Sequence, residues 1–233
     1  MIFADLETVQ KRIDKAVKLL KADKKYQAEM DVWNEVKKVL EEGKFANSID
    51  FSEEESEIVK DAFLLTMKPI LYIANVSEEQ LSDDNDEMVN KVREYAKLNG
   101  AEVIPLCVKI EEELAELEGE DKQEMLDALG LKESGLDKVI KASYDLLGLM
   151  SFLTAGEPEV RAWAIKKGTK APKAAGKIHS DIERGFIRAE IVNYDDLIRE
   201  GSLAAVKDKG LMRSEGKDYI MQDGDVVLFK FNV

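Results

Sequence analysis

Cysteine is nearly absent from this sequence of 233 residues: Cys107 stands alone, so no internal disulfide can form, as suits a reducing compartment. Histidine is as scarce. A zinc site needs three or four ligands, and His179 with one distant cysteine offers no spacing that fits one. No stretch of about 18 apolar residues occurs, which excludes a membrane-spanning helix. The opening Met-Ile-Phe-Ala-Asp-Leu-Glu has no basic segment leading into an apolar one, which excludes a secretory signal. With 35% charged residues, these absences give the reading of a water-soluble, cytoplasmic protein. The acidic run Asp83–Glu87 lacks the glycine and closing glutamate of a calcium loop and reads as a solvated helix start. Also missing is Gly-x-x-x-x-Gly-Lys-Ser/Thr, whose backbone N–H groups wrap phosphates while its lysine neutralises them and its hydroxyl binds Mg²⁺. Gly-Lys pairs begin at Gly43, Gly176 and Gly216, but Phe45, Ile178 and Asp218 follow them.

What is abundant is acid. The net charge of −14 is unevenly spread: residues 1–150 hold 20 basic and 35 acidic side chains, residues 151–233 hold 14 and 13. An acidic surface repels nucleic acid, so RNA contact is electrostatically plausible only in the C-terminal third. There, Val160–Ser180 carries Arg161, Lys166, Lys167, Lys170, Lys173 and Lys177 and no acid. Six positive charges could form one cationic face for RNA phosphates. A solvated basic surface that balances acidic neighbours is the alternative.

Hydrophobic periodicity divides the chain in three. Leu6, Val9, Ile13, Val17 and Leu20 lie on one helix face. After the polar break Lys21–Lys25, a second face follows in Met30, Trp33, Val36 and Leu40, and Gly43 supplies a stop. Two such helices with a short loop predict an antiparallel hairpin. Ser52 begins a third helix with capping-box spacing to Glu55. In the middle, the apolar runs Ile70–Ala74 and Val103–Val108 flank a helix carrying Met88, Val92, Tyr95 and Leu98. That order predicts a βαβ unit with both strands buried in a parallel sheet whose other strands lie elsewhere. Helices follow near Glu111–Leu117, Lys122–Leu129 and Leu136–Leu147. In the last part, Val160–Ile165 and Ile187–Val192 read as strands, Ala174–Glu183 and Asp195–Lys209 as helices. Asp218–Phe231 reads as a hairpin about Asp223-Gly224. Trp33 and Trp163 occupy apolar positions and read as core. The expected architecture is mixed α/β and α+β, with parts at 1–65, 66–148 and 149–233.

Pro69-Ile-Leu-Tyr-Ile-Ala-Asn-Val-Ser-Glu78 resembles the base-recognition segment of the YchF, or Obg-like ATPase, family. Most related GTPases carry Asn-Lys-x-Asp there; this family has Asn-x-x-Glu, and this chain has Asn75-Val76-Ser77-Glu78. The resemblance extends from Ala4-Asp-Leu-Glu-Thr8 through Phe152-Leu-Thr-Ala-Gly156, Glu159-Val-Arg-Ala-Trp163, Glu183-Arg-Gly-Phe-Ile-Arg188 and Glu215-Gly-Lys-Asp-Tyr219 to Asp223-Gly-Asp225. It implies a P-loop nucleotidase domain with an inserted coiled-coil hairpin, here at 1–65, and a partial parallel α/β domain at 66–148. A TGS domain of β-grasp type is implied at 149–233. It further implies ATP or GTP, with GTP a weaker or disputed substrate, Mg²⁺, and a ribosomal RNA partner engaged by the basic C-terminal residues; no DNA specificity and no membrane are expected.

By the same resemblance, Asn75, Val76 and Glu78 contact the base, and Leu106 and Cys107 form the second base loop through their backbone. The Cys107 thiol itself reads as core. Without a phosphate loop in these residues, no catalytic residue is assigned. The expectation is a C-terminal portion of a ribosome-associated ATP/GTP hydrolase that lacks hydrolysis and tight nucleotide binding. The alternative is a nucleotide-independent adaptor built from the TGS domain and the hairpin.

Overall fold

The computed structural model describes residues 1–21, 23–81, 86–156 and 159–232. The chain divides into two units, Met1–Lys138 and Val139–Val233.

In the first unit, α1 (Ile2–Leu20) and α2 (Gln27–Glu41) form the expected hairpin. Val9 and Ile13 of α1 pack with Val32, Trp33, Val36 and Leu40 of α2, and Trp33 is fully buried. Helix α3 (Glu53–Lys60) starts with the capping box read from the sequence: Ser52 Oγ accepts from Glu55 N–H, and the Glu55 carboxylate accepts from Ser52 N–H. The base of the hairpin is held by Asp5. Its buried carboxylate accepts from the Leu65 and Thr66 N–H groups at 2.9 and 2.7 Å and from the Thr66 hydroxyl at 2.6 Å. A buried carboxylate with three donors is costly to break, so the latch fixes where the hairpin begins.

The chain continues through β1 (Leu71–Asn75), α4 (Glu78–Leu81), α5 (Glu87–Leu98), β2 (Glu102–Leu106), α6 (Val108–Ala115), α7 (Gly119–Ala128) and α8 (Gly135–Leu146). Strands β1 and β2 pair in parallel, Leu71 opposite Glu102 and Asn75 opposite Leu106. Burial departs from expectation. No residue of β1 is buried, and Ile73 is 53% exposed. On α5, Val89 and Ala96 are buried while Met88, Tyr95 and Leu98 face outward. Two strands about 4.8 Å apart offer too narrow a floor for a helix about 10 Å wide. Of the acidic run, residues 83–85 lie outside the described residues; Asp86 caps α5, its Oδ1 accepting from Val89 N–H at 2.9 Å.

The second unit contains β3 (Leu149–Ala155), β4 (Val160–Lys166), α9 (Ala171–Ile178), α10 (Ser180–Arg184), β5 (Phe186–Asn193), α11 (Tyr194–Glu200), α12 (Leu203–Asp208), β6 (Arg213–Glu215) and β7 (Asp225–Phe231). The strands form one mixed sheet in the order β4-β3-β7-β5-β6, in which only β3 and β7 run parallel. Helix α9 contributes Ala171, Ala174 and Ala175 to a core with Phe152, Ile165, Phe186, Ile191, Met221 and Phe229. Trp163 is only partly buried and stacks on Phe152 with ring centroids 6.4 Å apart.

Three expectations fail here. The final hairpin does not form, because both edges of β7 are taken, by β3 and β5. Ile220 instead bridges Lys170, Met221 enters the core, and the buried Asp225 carboxylate accepts from Gln222 N–H at 2.8 Å and the Tyr219 hydroxyl at 2.9 Å. The helix expected at 174–183 breaks at His179, which is extended and caps α10 by accepting from Asp181 N–H through Nδ1. The helix expected at 195–209 breaks at Gly201, whose φ of 76° is left-handed. Strand β3 was not foreseen.

Candidate functional site

Parallel strands bring their C-terminal ends to one edge, where α/β sheets bind ligands. At that edge of β1 and β2 lies an open cleft of 490 Å³ lined by Asn75, Val76, Ser77, Glu78, Glu79, Cys107, Val108 and Lys109. Three cross-links hold its two walls. Val76 N–H donates to the Leu106 carbonyl at 2.9 Å, extending the ladder one step beyond the strands. Asn75 Oδ1 accepts from Val108 N–H at 3.2 Å, in the first turn of α6. Lys109 Nζ meets Glu78 Oε1 at 2.7 Å.

Each contact has a chemical consequence. A backbone N–H can only be met by the amide oxygen, so the Asn75 NH₂ is left as the donor available to a ligand. The Glu78 hydrogen bond, aided by the charges of Glu78 and Glu113, raises the Lys109 pKa above the ordinary lysine value. Glu78 therefore presents an acceptor beside the Lys109 donor. The first wall is stiffened locally: Ser77 Oγ accepts from Gln80 N–H, Gln80 Oε1 accepts from Ser77 N–H, and Gln80 Nε2 donates to Asp86.

Of the five base-loop residues expected, Asn75, Val76, Glu78 and Cys107 line the cleft. Leu106 is buried and does not line the cleft; its carbonyl accepts the Val76 N–H that ties the two walls. The Cys107 side chain is buried with Ile110, Leu114 and Leu126. Behind the second wall, the Glu111 carboxylate accepts from the Gly135 and Leu136 N–H groups. A Cβ at Gly135 would meet Leu106 Cβ at 2.7 Å, so that close approach requires glycine. Sequence reasoning missed Lys109, whose partner lies 31 residues away. It also missed Gln80, although Ser77-x-x-Gln80 has capping-box spacing. Among the described residues no group of three His, Cys, Asp or Glu could hold a metal ion.

The six C-terminal cations do not share one face. A strand alternates its side chains, so Arg161 lies with Trp163 and Ile165 and Lys166 points to the opposite side. Arg161 covers the Trp163 ring at 4.2 Å and lies 3.9 Å from Glu159. Lys167 pairs with Asp145 at 2.7 Å, Lys170 with Asp218 at 2.8 Å, and Lys173 with Glu183 at 2.5 Å. Only Lys166 and Lys177 have no carboxylate partner among the described residues.

The YchF-GTPase_C family, described as a protein of unknown function (DUF933), matches residues 149–232. The ribosome-binding ATPase YchF of Bacillus subtilis is 56% identical over all of this chain. Obg-like ATPase 1 of Rattus norvegicus is 43% identical over 98% of it. This chain spans 64% of the length of the first protein and 59% of the second. Among solved structures, the Schizosaccharomyces pombe YchF GTPase aligns over 98% of this chain and 63% of its own, at 33% identity and a TM-score of 0.82.

Proposed function

The chain belongs, over its whole length, to the YchF or Obg-like ATPase family, and from that premise we propose that its cleft is the base end of a nucleoside-triphosphate site in a ribosome-associated hydrolase. The observation that carries the reading is the Asn75–Val108 bond at the strand ends. It locks the two loops together and leaves an amide NH₂ to donate to a purine ring nitrogen. Glu78 beside Lys109 supplies an acceptor and a donor side by side. That pair matches the N6–H and N1 edge of adenine and equally the N1–H and O6 edge of guanine, and relatives are named for either nucleotide.

Phosphates and Mg²⁺ are supplied with ligands by the P-loop of the family's longer proteins. These 233 residues contain no such sequence, so none of them is assigned to phosphate, metal or hydrolysis. In this reading α1 and α2 are the coiled-coil insertion, residues 149–233 are the TGS domain, and the protein works on the ribosome in the cytoplasm. Ile73 of β1 and Met88, Tyr95 and Leu98 of α5 leave apolar side chains exposed, which this reading assigns to contact with the rest of the longer family proteins.

A second reading, an adaptor independent of nucleotide, is favoured by one observation: the hairpin and the second unit each have their own buried core. Adenosine separates the two, because it tests the base end without phosphate. In a ¹H–¹⁵N titration at millimolar adenosine, the Val76 and Val108 amides shift in the wild type and not in Asn75→Ala. Amides unmoved in the wild type refute the base-site reading and leave the adaptor.

A further inference from the structure

Helix α1 carries Lys11, Lys15 and Lys18 four and three residues apart, which sets them on one stripe, one per turn. The stripe continues through Lys21, Lys24 and Lys25 around the loop end of the hairpin, and all six side chains are exposed. Lys11 is paired with Glu7 at 2.8 Å and Lys25 with Asp23 at 3.2 Å. Lys15, Lys18, Lys21 and Lys24 have no carboxylate partner among the described residues.

The nearby acids are engaged elsewhere. Asp14 accepts from Gln10 at 2.9 Å, Asp31 from Gln27 at 2.8 Å, and Glu29 from the Trp33 ring N–H at 3.5 Å. Residues 11–26 thus hold seven basic and two acidic side chains inside the acidic part of the chain. Attraction to the negative end of the α1 dipole accounts for Lys18 and Lys21, which lie at its last turn. It does not account for Lys15, a turn further in, or for Lys24, beyond the helix.

Distance lets this local charge act. A helix of 19 residues is about 28 Å long, so its loop end stands roughly three Debye lengths from the Asp5 latch at physiological salt. Acids at the latch end are screened there, and an approaching polyanion meets the lysines first. Tyr26 lies at the same end, 5.1 Å from Lys25 Nζ.

We propose that the outer face of α1 and the loop end of the hairpin are an RNA-docking surface that binds the phosphate backbone through Lys15, Lys18, Lys21 and Lys24. Lysines are point charges without the bidentate geometry that reads base edges, so binding is strongly salt-dependent and weakly sequence-dependent. RNA is the partner because relatives of this chain are named for binding ribosomes. The proposal stands apart from the base-site reading.

The test is fluorescence anisotropy of a labelled RNA hairpin with the whole chain between 50 and 200 mM salt. Each lysine that neutralises a phosphate adds about 0.7–0.9 to the slope of log K against log salt. Lys15→Gln/Lys18→Gln/Lys21→Gln/Lys24→Gln lowers that slope by about three. Lys166→Gln/Lys177→Gln, which removes the unpaired C-terminal lysines, leaves the larger part of it. All these positions are exposed and without a carboxylate partner, so the variants fold, and losing Lys18 and Lys21 from the end of α1 lowers the melting temperature by no more than a few degrees. A quadruple variant with wild-type slope and affinity overturns the proposal. So does a wild type that binds phosphatidylserine vesicles but no RNA at 50 mM salt.

Discussion

The lysines of the hairpin end and those of the C-terminal sheet are the same residue in opposite circumstances. On the sheet, the fold brings Asp145 to Lys167 from 22 residues away and Asp218 to Lys170 from 48 residues away. On the hairpin, acids are few among the neighbours along the helix, and the fold brings none from elsewhere to Lys15, Lys18, Lys21 or Lys24. The basic segment with no acid in its own sequence is therefore largely neutralised, and the one embedded in an acidic region keeps free charge. Availability of charge depends on tertiary partners as much as on composition.

The largest expected effect comes from inverting the hairpin charges. Lys15→Glu/Lys18→Glu/Lys21→Glu/Lys24→Glu lowers RNA affinity at 50 mM salt by about a hundredfold or more, while the melting temperature falls by only a few degrees from the two new acids at the end of α1. An affinity within threefold of wild type breaks the comparison. Next is the converse change. Asp145→Asn with Asp218→Asn frees Lys167 and Lys170, and RNA affinity rises by roughly three- to tenfold. No rise shows that pairing is not what silences the sheet.

A smaller effect follows from Lys167→Gln/Lys170→Gln/Lys173→Gln, which removes three exposed ion pairs. It lowers the melting midpoint by roughly 1–3 °C with little change in RNA binding, the reverse of the hairpin result. The smallest concerns Lys109, a paired lysine at the cleft. Its amine titrates above the ordinary lysine value, so its attraction to Glu78 is fully present at neutral pH and lost as pH rises through the raised value. Glu78→Gln returns the titration, followed by lysine-edited NMR, to the ordinary range; an unchanged midpoint sinks the assigned cause.

Local signals in the sequence carried well. The hairpin, the Ser52 capping box and the parallel pair of strands follow from patterns a few residues long, and the gathering of Asn75, Val76, Glu78 and Cys107 at one cleft follows from the family motifs. What failed depended on contacts across the chain. Asp223-Gly224 has the dipeptide of a hairpin, yet β7 pairs with strands remote in sequence, so the preceding Met221 goes to the core instead. The apolar stripe of α5 gave the helix, but its buried side is decided by the narrow sheet beneath it. The Glu78–Lys109 strap and the pairs that quiet the C-terminal lysines span 10 to 48 residues, beyond any local window.

Lysine footprinting tests the central claim most directly. The chain is acetylated with a limiting reagent, free and with bound RNA, and each lysine is quantified by mass spectrometry. Protection of Lys15, Lys18, Lys21 and Lys24, with Lys166–Lys177 unchanged, is the predicted result. Protection at Lys166–Lys177 with the hairpin lysines fully reactive contradicts the account.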